Sequence, residues 1–217
     1  RGNRMRRLSF VAAVFAALLL GCISASLPKV AAPEMYALDP PLASRAFARE
    51  ESSTPIVVAS PRSAPGLAGR GMMYVQRAHE VRYFSRHAWV EPPARMLAPL
   101  LERALEAHGT FHAVRDAVID QPAHLHLETD LLCLQQEFTD RPSRVRIVLQ
   151  IRLLDSATRR VLGEREVEAV EVAPSEDPYG GVVAANAAAS HALLEVESAC
   201  AEWAHSPPAK AEGALSR

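Results

Sequence analysis

The feature that most constrains the fold is a regular alternation of apolar and polar residues between residues 144 and 154. In the stretch RVRIVLQIRLL every second residue is aliphatic, and the residues between them are mainly arginine and glutamine. A period of two is typical of a strand with one buried and one solvated face. The segment 124–138 alternates for most of its length, and glutamates recur at every second position after residue 163. Short turns separate the three segments, so the sequence predicts an antiparallel meander.

The turn DSATRR sets the register of the last two of these strands. A turn centred near Ala157 places Arg146 opposite Glu168. The same register places Gln150 opposite Glu164. Cross-strand pairs of this kind contribute roughly 0.2–1 kcal/mol each and mainly fix the register. We interpret these charges as the solvated outer face of the sheet.

Two other segments have helical periodicity. Pro93 suits the first position of a helix and Gly109 suits its end, while Pro99 predicts a kink inside it. The apolar stripe of this helix is Leu97, Leu101, Ala104 and Leu105. A second helix is predicted from about Tyr179 to His205, because apolar residues recur there at three-four spacing. Its stripe is Val182, Ala189, Leu193, Val196, Cys200 and Trp203.

Shorter strand-like segments precede the first helix. They are YALDP, the proline-bounded IVVAS, and a hairpin over residues 72–85 with RAHE as its turn. Strands, a helix, a meander and a second helix follow one another in the order expected of segregated elements. We therefore predict an α+β fold, an antiparallel β-sheet with two main helices packed on one face.

The N-terminal segment has the pattern of a lipoprotein export signal. Arg6 and Arg7 precede an apolar run of 13 residues, too short for a hydrocarbon core of about 30 Å. The run ends in LLLGC, which looks like a lipobox, and this predicts lipidation of Cys22. Leu20 is bulkier than the residue usual at its position. An uncleaved signal anchor, or a plain signal with an incidental cysteine, remains the alternative.

These features predict four regions along the chain. We expect a signal peptide over residues 1–21, a tether over 22–35, one domain over 36–204 and a disordered tail over 205–217. A lipid anchor of two acyl signals holds a protein stably at a membrane without a spanning helix. The absence of Asp after Cys22 favours the periplasmic face of the outer membrane, if the organism is Gram-negative.

Composition and motifs argue against several functional classes. The formal net charge is −1, and the only lysines are Lys29 and Lys210, so nucleic-acid binding is not expected. The sequence has no nucleophile elbow, no HExxH, no P-loop and no dinucleotide fingerprint. The stretch GLAGRG precedes a strand rather than a helix, so it provides no helix N-terminus for a phosphate. We expect a protein that is not an enzyme and has no cofactor.

Histidines and carboxylates on the second half of the chain raise the question of a metal site. His124, His126 and Glu128 share one strand face, a spacing that metal sites use. That face is expected to be solvated, and no fourth ligand follows in a recognisable pattern. We therefore predict no metal site.

Two cysteines other than Cys22 lie on faces assigned to the core. Cys133 belongs to the predicted sheet and Cys200 to the second helix. A helix packed on a sheet places such Cα atoms roughly 7–8 Å apart, whereas a disulfide needs about 4.4–6.8 Å. The sequence leaves two alternatives open, a disulfide between Cys133 and Cys200 or two buried thiols.

The hairpin and the approach to the first helix are rich in large apolar residues. These are Met72, Met73, Tyr83, Phe84 and Trp89. Flexible methionines and rigid aromatic rings suit an adaptable contact surface. The alternative is that the same residues wall the core.

Several of these motifs occur together in a known family. Cys22 is followed by YALDP, by PIVVASP and by GLAGRGMMYVQRAHEVRYFSRHAWVEPPARML, which contains Tyr74, the EVRYF arm, Trp89 and Pro92. This order resembles the ABC-type transport auxiliary lipoprotein family, the PqiC-like partners of MCE lipid-transport systems. The specific part is residues 69–105, and looser agreement covers residues 36–200.

The resemblance implies a non-enzymatic accessory role. Members look like periplasmic domains tethered to the outer membrane, where they work beside an ABC permease, an ATPase and an MCE-domain protein. Together these move lipids or other hydrophobic molecules between membranes. Some relatives form rings, so a homo-oligomer is one option. The alternative is a stand-alone lipoprotein, either an envelope-structural or a metal-binding module.

Overall fold

A computed structural model of the protein describes residues 32–42, 54–107, 109–114 and 124–205. Within these residues the chain forms nine β-strands, two α-helices and a short 3₁₀ turn at Pro65–Leu67. The strands are β1 (Glu34–Tyr36), β2 (Thr54–Val58), β3 (Arg62–Ser63), β4 (Gly71–Arg77), β5 (Glu80–Trp89), β6 (Phe111–Val114), β7 (Leu125–Glu137), β8 (Arg144–Asp155) and β9 (Val161–Val172). The helices are α1 (Pro93–Glu106) and α2 (Pro178–His205).

The predicted α+β class is confirmed, but the sheet is mixed rather than wholly antiparallel. β7, β8 and β9 form the predicted antiparallel meander, and β4 and β5 form the predicted hairpin. The other edge of β7 pairs in parallel with β2, β3 and β4 in turn, and β1–β5 and β2–β6 are also parallel. The physical reason is the length of the connections. Only a tight turn forces antiparallel pairing, and these strands reach their partners through long connections.

Both helices contribute to one apolar core with the inward residues of the sheet. Leu97, Leu101 and Leu105 of α1 are fully buried, as its predicted stripe requires. α2 packs on β8 and β9 with a face rich in alanine, and α1 packs on β6 and on α2. Gly109 has φ 73° and its N–H donates to the Glu106 carbonyl at 3.1 Å, so it ends α1 as predicted.

A β-bulge in β7 changes the alternation that the sequence predicts. The register with β8 shifts between Leu131 and Cys133, so one extra residue is inserted at Leu132. Leu131 and Leu134 are buried, Leu132 is exposed, and Cys133 moves to the outer face. The prediction that Cys133 faces the core with Leu131 is therefore wrong, because a single inserted residue reverses every side chain that follows it.

The predicted register of β8 and β9 is displaced by two residues. Arg146 lies opposite Val170, and Gln150 lies opposite Glu166. The predicted side-chain partners nevertheless meet along the diagonal. Arg146 forms an ion pair with Glu168, and Gln150 Nε2 donates to the Glu164 carboxylate at 3.0 Å. Diagonal neighbours remain within reach of long side chains, which explains why the contacts survive the shift.

Candidate functional site

The five apolar residues predicted as a contact surface do not lie on one surface. Met72 and Trp89 are 3% and 4% exposed and belong to the core, so the alternative that they wall the core applies to these two. Met73 and Phe84 are half-buried, and Tyr83 is 47% exposed. Tyr83 is therefore the most exposed member of the set, and its neighbour Phe84 faces the opposite side of β5.

The Tyr83 ring packs against the start of β4 at Gly71, which has no Cβ atom. A Cβ atom on Gly71 would stand 2.7 Å from the Cδ1 atom of the Tyr83 ring. The Tyr83 hydroxyl donates to the Gly66 carbonyl at 2.8 Å. The glycine at position 71 is thus explained by close approach of an aromatic ring, a common reason for glycine in a strand.

Three aromatic rings meet at the end of the β4–β5 hairpin. The rings of Tyr74 and Phe84 are stacked, with centroids 4.4 Å apart and planes inclined at 26°. The ring of Phe138 is nearly perpendicular to both, at centroid distances of 6.0 Å from Tyr74 and 6.5 Å from Phe84. Phe138 directly follows β7, and its N–H donates to the Val75 carbonyl of β4 at 2.8 Å.

Tyr74 and Phe138 are not among the contact residues predicted from the sequence. The parallel pairing of β4 with the end of β7 brings the two residues together. No local sequence pattern indicates such a pairing between strands that lie about 60 residues apart in the chain. The one available signal was an aromatic residue placed directly after the last alternating position of β7.

A groove of about 410 Å³ opens beside the three rings. Its lining residues are Tyr74, Gln76, Phe84, Phe138, Arg141 and Glu176. Met72 lies on the helix side of the sheet against Gly181 and Ala185, and the alternation of β4 places Tyr74 on the same side. α2 begins only at Pro178, so the groove is the part of this face that lies beyond the start of the helix.

The charged groups of the groove differ in how they are held. The Glu176 carboxylate accepts the backbone N–H of Ser143 at 2.7 Å, which fixes its position. Arg141 is exposed and has no ion-pair partner among the residues that the structure describes. Arg82, at the edge of the cluster, is already paired with Glu80. The groove therefore offers one held carboxylate and one uncommitted guanidinium.

Asp177 is the N-cap residue of α2 and directly follows Glu176 of the groove. The Asp177 carboxylate accepts the N–H of Gly180 at 2.7 Å and the Ser175 hydroxyl at 2.9 Å. The backbone bond from Gly180, followed by the bond from Ser175, lowers the pKa of Asp177 below its ordinary value. This is the usual arrangement of an N-cap aspartate followed by proline, and it leaves Asp177 committed to the helix.

The interior beside the groove has very little free volume. The cavity between Met72, Trp89 and the start of α2 has a volume of about 10 Å³, which is at most the space of one water molecule. A second groove of about 520 Å³ runs along α1 beside residues 58–61, with Glu91, Arg95 and Glu102 on its walls. Both of these grooves are open to solvent.

Cys133 and Cys200 are both free thiols, so the disulfide alternative is not formed. The bulge turns Cys133 to the outer face, whereas Cys200 is a residue of α2 and is buried in the core. Burial, with a smaller effect from Glu137, raises the pKa of Cys133 to about 11. Burial, with a smaller effect from Glu197, raises the pKa of Cys200 to about 12. Both thiols are therefore protonated near neutral pH and are poor nucleophiles.

The outer face of the meander carries a lattice of ion pairs. Arg152 contacts Glu128 at 3.5 Å and Glu164 at 3.1 Å, and Arg159 contacts Glu128 at 3.3 Å. His126 lies 4.0 Å from the same Glu128, and burial together with Arg159 lowers its pKa. In the described ranges no three histidines, cysteines or carboxylates are grouped so that they could hold a metal ion.

Cys22, the predicted signal peptide, most of the tether and most of the tail lie outside the described residues. Within the part that the structure describes, neither helix is long and apolar enough to cross a membrane.

The family and the fold are known from other proteins. Residues 36–196 match the family model of the ABC-type transport auxiliary lipoprotein component. The solved structure of protein XCC0632 from Xanthomonas campestris, of family DUF330, is similar with a TM-score of 0.69 and 20% identity, over 78% of this chain and 96% of that one. An uncharacterized protein of solved structure is similar with a TM-score of 0.60 and 13% identity, over 77% and 98%.

At these identities the structural likeness shows the fold alone. Among proteins of curated function, none matches this sequence significantly. The family match is therefore the finding that bears on function. Because it spans well over half of the sequence, this chain belongs to the ABC-type transport auxiliary lipoprotein family.

Proposed function

We propose that this protein is a periplasmic lipoprotein anchored through Cys22 to the outer membrane of a Gram-negative bacterium. There it serves as an auxiliary component of an ABC/MCE-type transport system that moves lipids or other hydrophobic molecules between the two membranes. Its partners are an MCE-domain protein, an ABC permease and an ATPase. It carries out no catalytic step and needs no cofactor.

The observation that carries this proposal is the position of the family match relative to the lipobox. The match begins at residue 36, only a short tether after Cys22. An acylated cysteine at that position places the folded body directly at a membrane surface. The family description supports a role beside an ABC transporter, and the MCE partner follows from the resemblance of residues 69–105.

The packing of the body supports docking rather than carriage of cargo. The inward residues of β7, β8, α1 and α2 fill a single core. The cavity of about 10 Å³ against Met72 and Trp89 is far smaller than an acyl chain requires. We therefore infer that the protein acts through its surfaces rather than by enclosing a hydrophobic cargo. Tyr83 is the residue of the predicted contact set that is exposed enough for this purpose.

Anchoring is tested by replacing the cysteine that is predicted to carry the acyl chains. Cys22→Ser is expected to abolish incorporation of labelled palmitate and to release the protein from sedimented envelopes. Cys133→Ser is the matched control, because it removes a thiol of the folded body and is expected to leave both readouts unchanged. Envelope association of Cys22→Ser without palmitate in the parent protein would contradict the lipoprotein assignment.

The transport role is tested by affinity capture of the intact lipoprotein from a detergent extract. We expect an MCE-domain protein to be captured, and we expect Tyr83→Ala to reduce its recovery. A mock capture with an unrelated outer-membrane lipoprotein controls for non-specific recovery. Anchoring without capture of any such protein would favour the stand-alone lipoprotein, and tight metal binding lost on His126→Ala would favour its metal-binding form.

A further inference from the structure

We propose that the groove lined by Tyr74, Gln76, Phe84, Phe138, Arg141 and Glu176 binds a small zwitterion that joins an ammonium group to a phosphate. This is the chemistry of a phosphoethanolamine or phosphocholine headgroup. The choice of a phosphate ester among zwitterions rests on the proposed function, which places the body beside a bilayer. The recognition of both charges rests on the groove itself.

The aromatic rings form a corner that suits an ammonium group. Phe138 is at similar distances from Tyr74 and Phe84, 6.0 and 6.5 Å, so it stands beside their stack rather than on top of it. Its plane is inclined at 90° to that of Tyr74, so the two rings meet edge to face. A cation within about 6 Å of ring centroids is attracted by the negative potential of the ring faces.

A carboxylate stands at the same groove. Glu176 is fixed through one oxygen, which accepts the Ser143 N–H at 2.7 Å. A carboxylate held in this way does not lose side-chain freedom when it meets a ligand, so less free energy is lost on binding. An ammonium that contacts one aromatic face and a fixed carboxylate is favoured over a neutral group of the same size.

The anionic half of the ligand is assigned to Arg141. Its guanidinium is exposed on the groove and is not paired within the described residues. A guanidinium can donate two parallel N–H bonds to a phosphate, which gives both charge and geometry. Gln76 of β4 adds an amide donor, while its Oε1 atom accepts from Arg82 at 3.4 Å.

The same features argue against an apolar occupant. A buried acyl chain or an aliphatic side chain would strip water from Arg141 and Glu176 without replacing their hydrogen bonds, which is unfavourable. The volume of about 410 Å³ accommodates a headgroup and its glycerol. The groove also differs from the accessible contact residue Tyr83, which lies on the other side of β5.

The proposal is tested by calorimetric titration of the full lipoprotein, purified in an uncharged maltoside detergent. The probes are glycerophosphoethanolamine, glycerophosphocholine, ethanolamine and inorganic phosphate. We expect saturable binding of at least one glycerophospho-ester and much weaker binding of phosphate or ethanolamine alone. Arg141→Gln is expected to weaken binding about tenfold, because a charge-assisted bond to phosphate is lost. Phe138→Leu, which keeps apolar volume but removes a ring face, is expected to weaken it about fivefold.

Arg144→Gln is the matched control, since Arg144 is exposed three residues away at the start of β8. It is expected to leave the affinity unchanged, and circular dichroism melting checks that each variant is folded. Absence of saturable binding, equal binding of phosphate alone, or equal losses in Arg141→Gln and Arg144→Gln would overturn the proposal. Palmitate labelling and capture of the MCE protein read out the proposed function separately, so failure of the headgroup site leaves those results standing.

Discussion

Gly163 in β9 is where a single added methyl group should test the packing of α2 most directly. A Cβ atom on Gly163 would stand 2.0, 2.2 and 2.4 Å from three carbon atoms of the Trp203 indole. Ordinary contacts between such atoms are about 3.5–4.0 Å, so the indole must move by more than 1 Å or leave the strand. Trp203 lies in the last turn of α2, and its ring also faces the Arg165 guanidinium at 5.4 Å.

The expected cost of Gly163→Ala follows from these contacts. Overpacking of this kind typically destabilises a protein by about 1–3 kcal/mol, and loss of the cation–π contact adds about 0.5–1 kcal/mol. For a domain of this size each kcal/mol lowers the melting temperature by about 2–4 °C. We therefore expect Gly163→Ala to lower the free energy of unfolding by about 2 kcal/mol, measured by urea denaturation and by circular dichroism melting.

Gly69→Ala is the control, because a Cβ atom there meets nothing within 4 Å. It is expected to be neutral or slightly stabilising, since alanine reduces the entropy of the unfolded chain. In the background of Trp203→Ala the cost of Gly163→Ala should fall to within about 0.5 kcal/mol of zero, because the obstructing ring is gone. Equal costs of Gly163→Ala with and without the indole would refute the reasoning.

Two further predictions concern the thiols and the helix cap. Non-reducing peptide mapping of the purified protein should show no peptide linking Cys133 to Cys200, and both thiols should be alkylated slowly at pH 8 until the protein is unfolded, because burial raises the pKa of each. A linked peptide would contradict the placement of Cys133 on the outer face. The lowered pKa of Asp177 means that its contribution to stability is present above the ordinary value of 3.8 and is lost as the pH falls through the lower folded-state value. Asp177→Asn, which can still cap α2, should therefore show a smaller loss of stability in acid, measured as melting temperature between pH 6 and pH 2, and an unchanged acid slope would count against this assignment.

The elements that the sequence predicts well are those with a strong local period. The alternation from Val145 to Leu153 in β8 is observed residue by residue, and each inward aliphatic side chain is buried. The stripe of α1 and the glycine that ends it are also confirmed. In these segments the local pattern and the tertiary packing favour the same structure, so one sequence is sufficient.

The errors come from features that have no local pattern. The bulge at Leu132 interrupts a run in which apolar residues occur on both sides, so the period does not show which residue is extra. The parallel pairing of β2, β3 and β4 with β7 depends on long connections that carry no register information. The groove beside Phe138 depends on that pairing, and it could not be found before the pairing was known.

The shared edge of β7 also has a consequence for the order in which the protein folds. Arg62 of β3 binds Asp130 of β7 at a sequence separation of 68 residues, and β3 itself is only two residues long. A short pairing between residues far apart in the sequence provides little stabilisation against the entropy lost in closing the loop. Such pairings therefore form late in folding. We expect the meander of β7, β8 and β9 to fold first. The N-terminal strands β2, β3 and β4 then pair with the exposed edge of β7. A chain threaded through a membrane N-terminus first would thus keep its leading half unstructured until its trailing half has emerged.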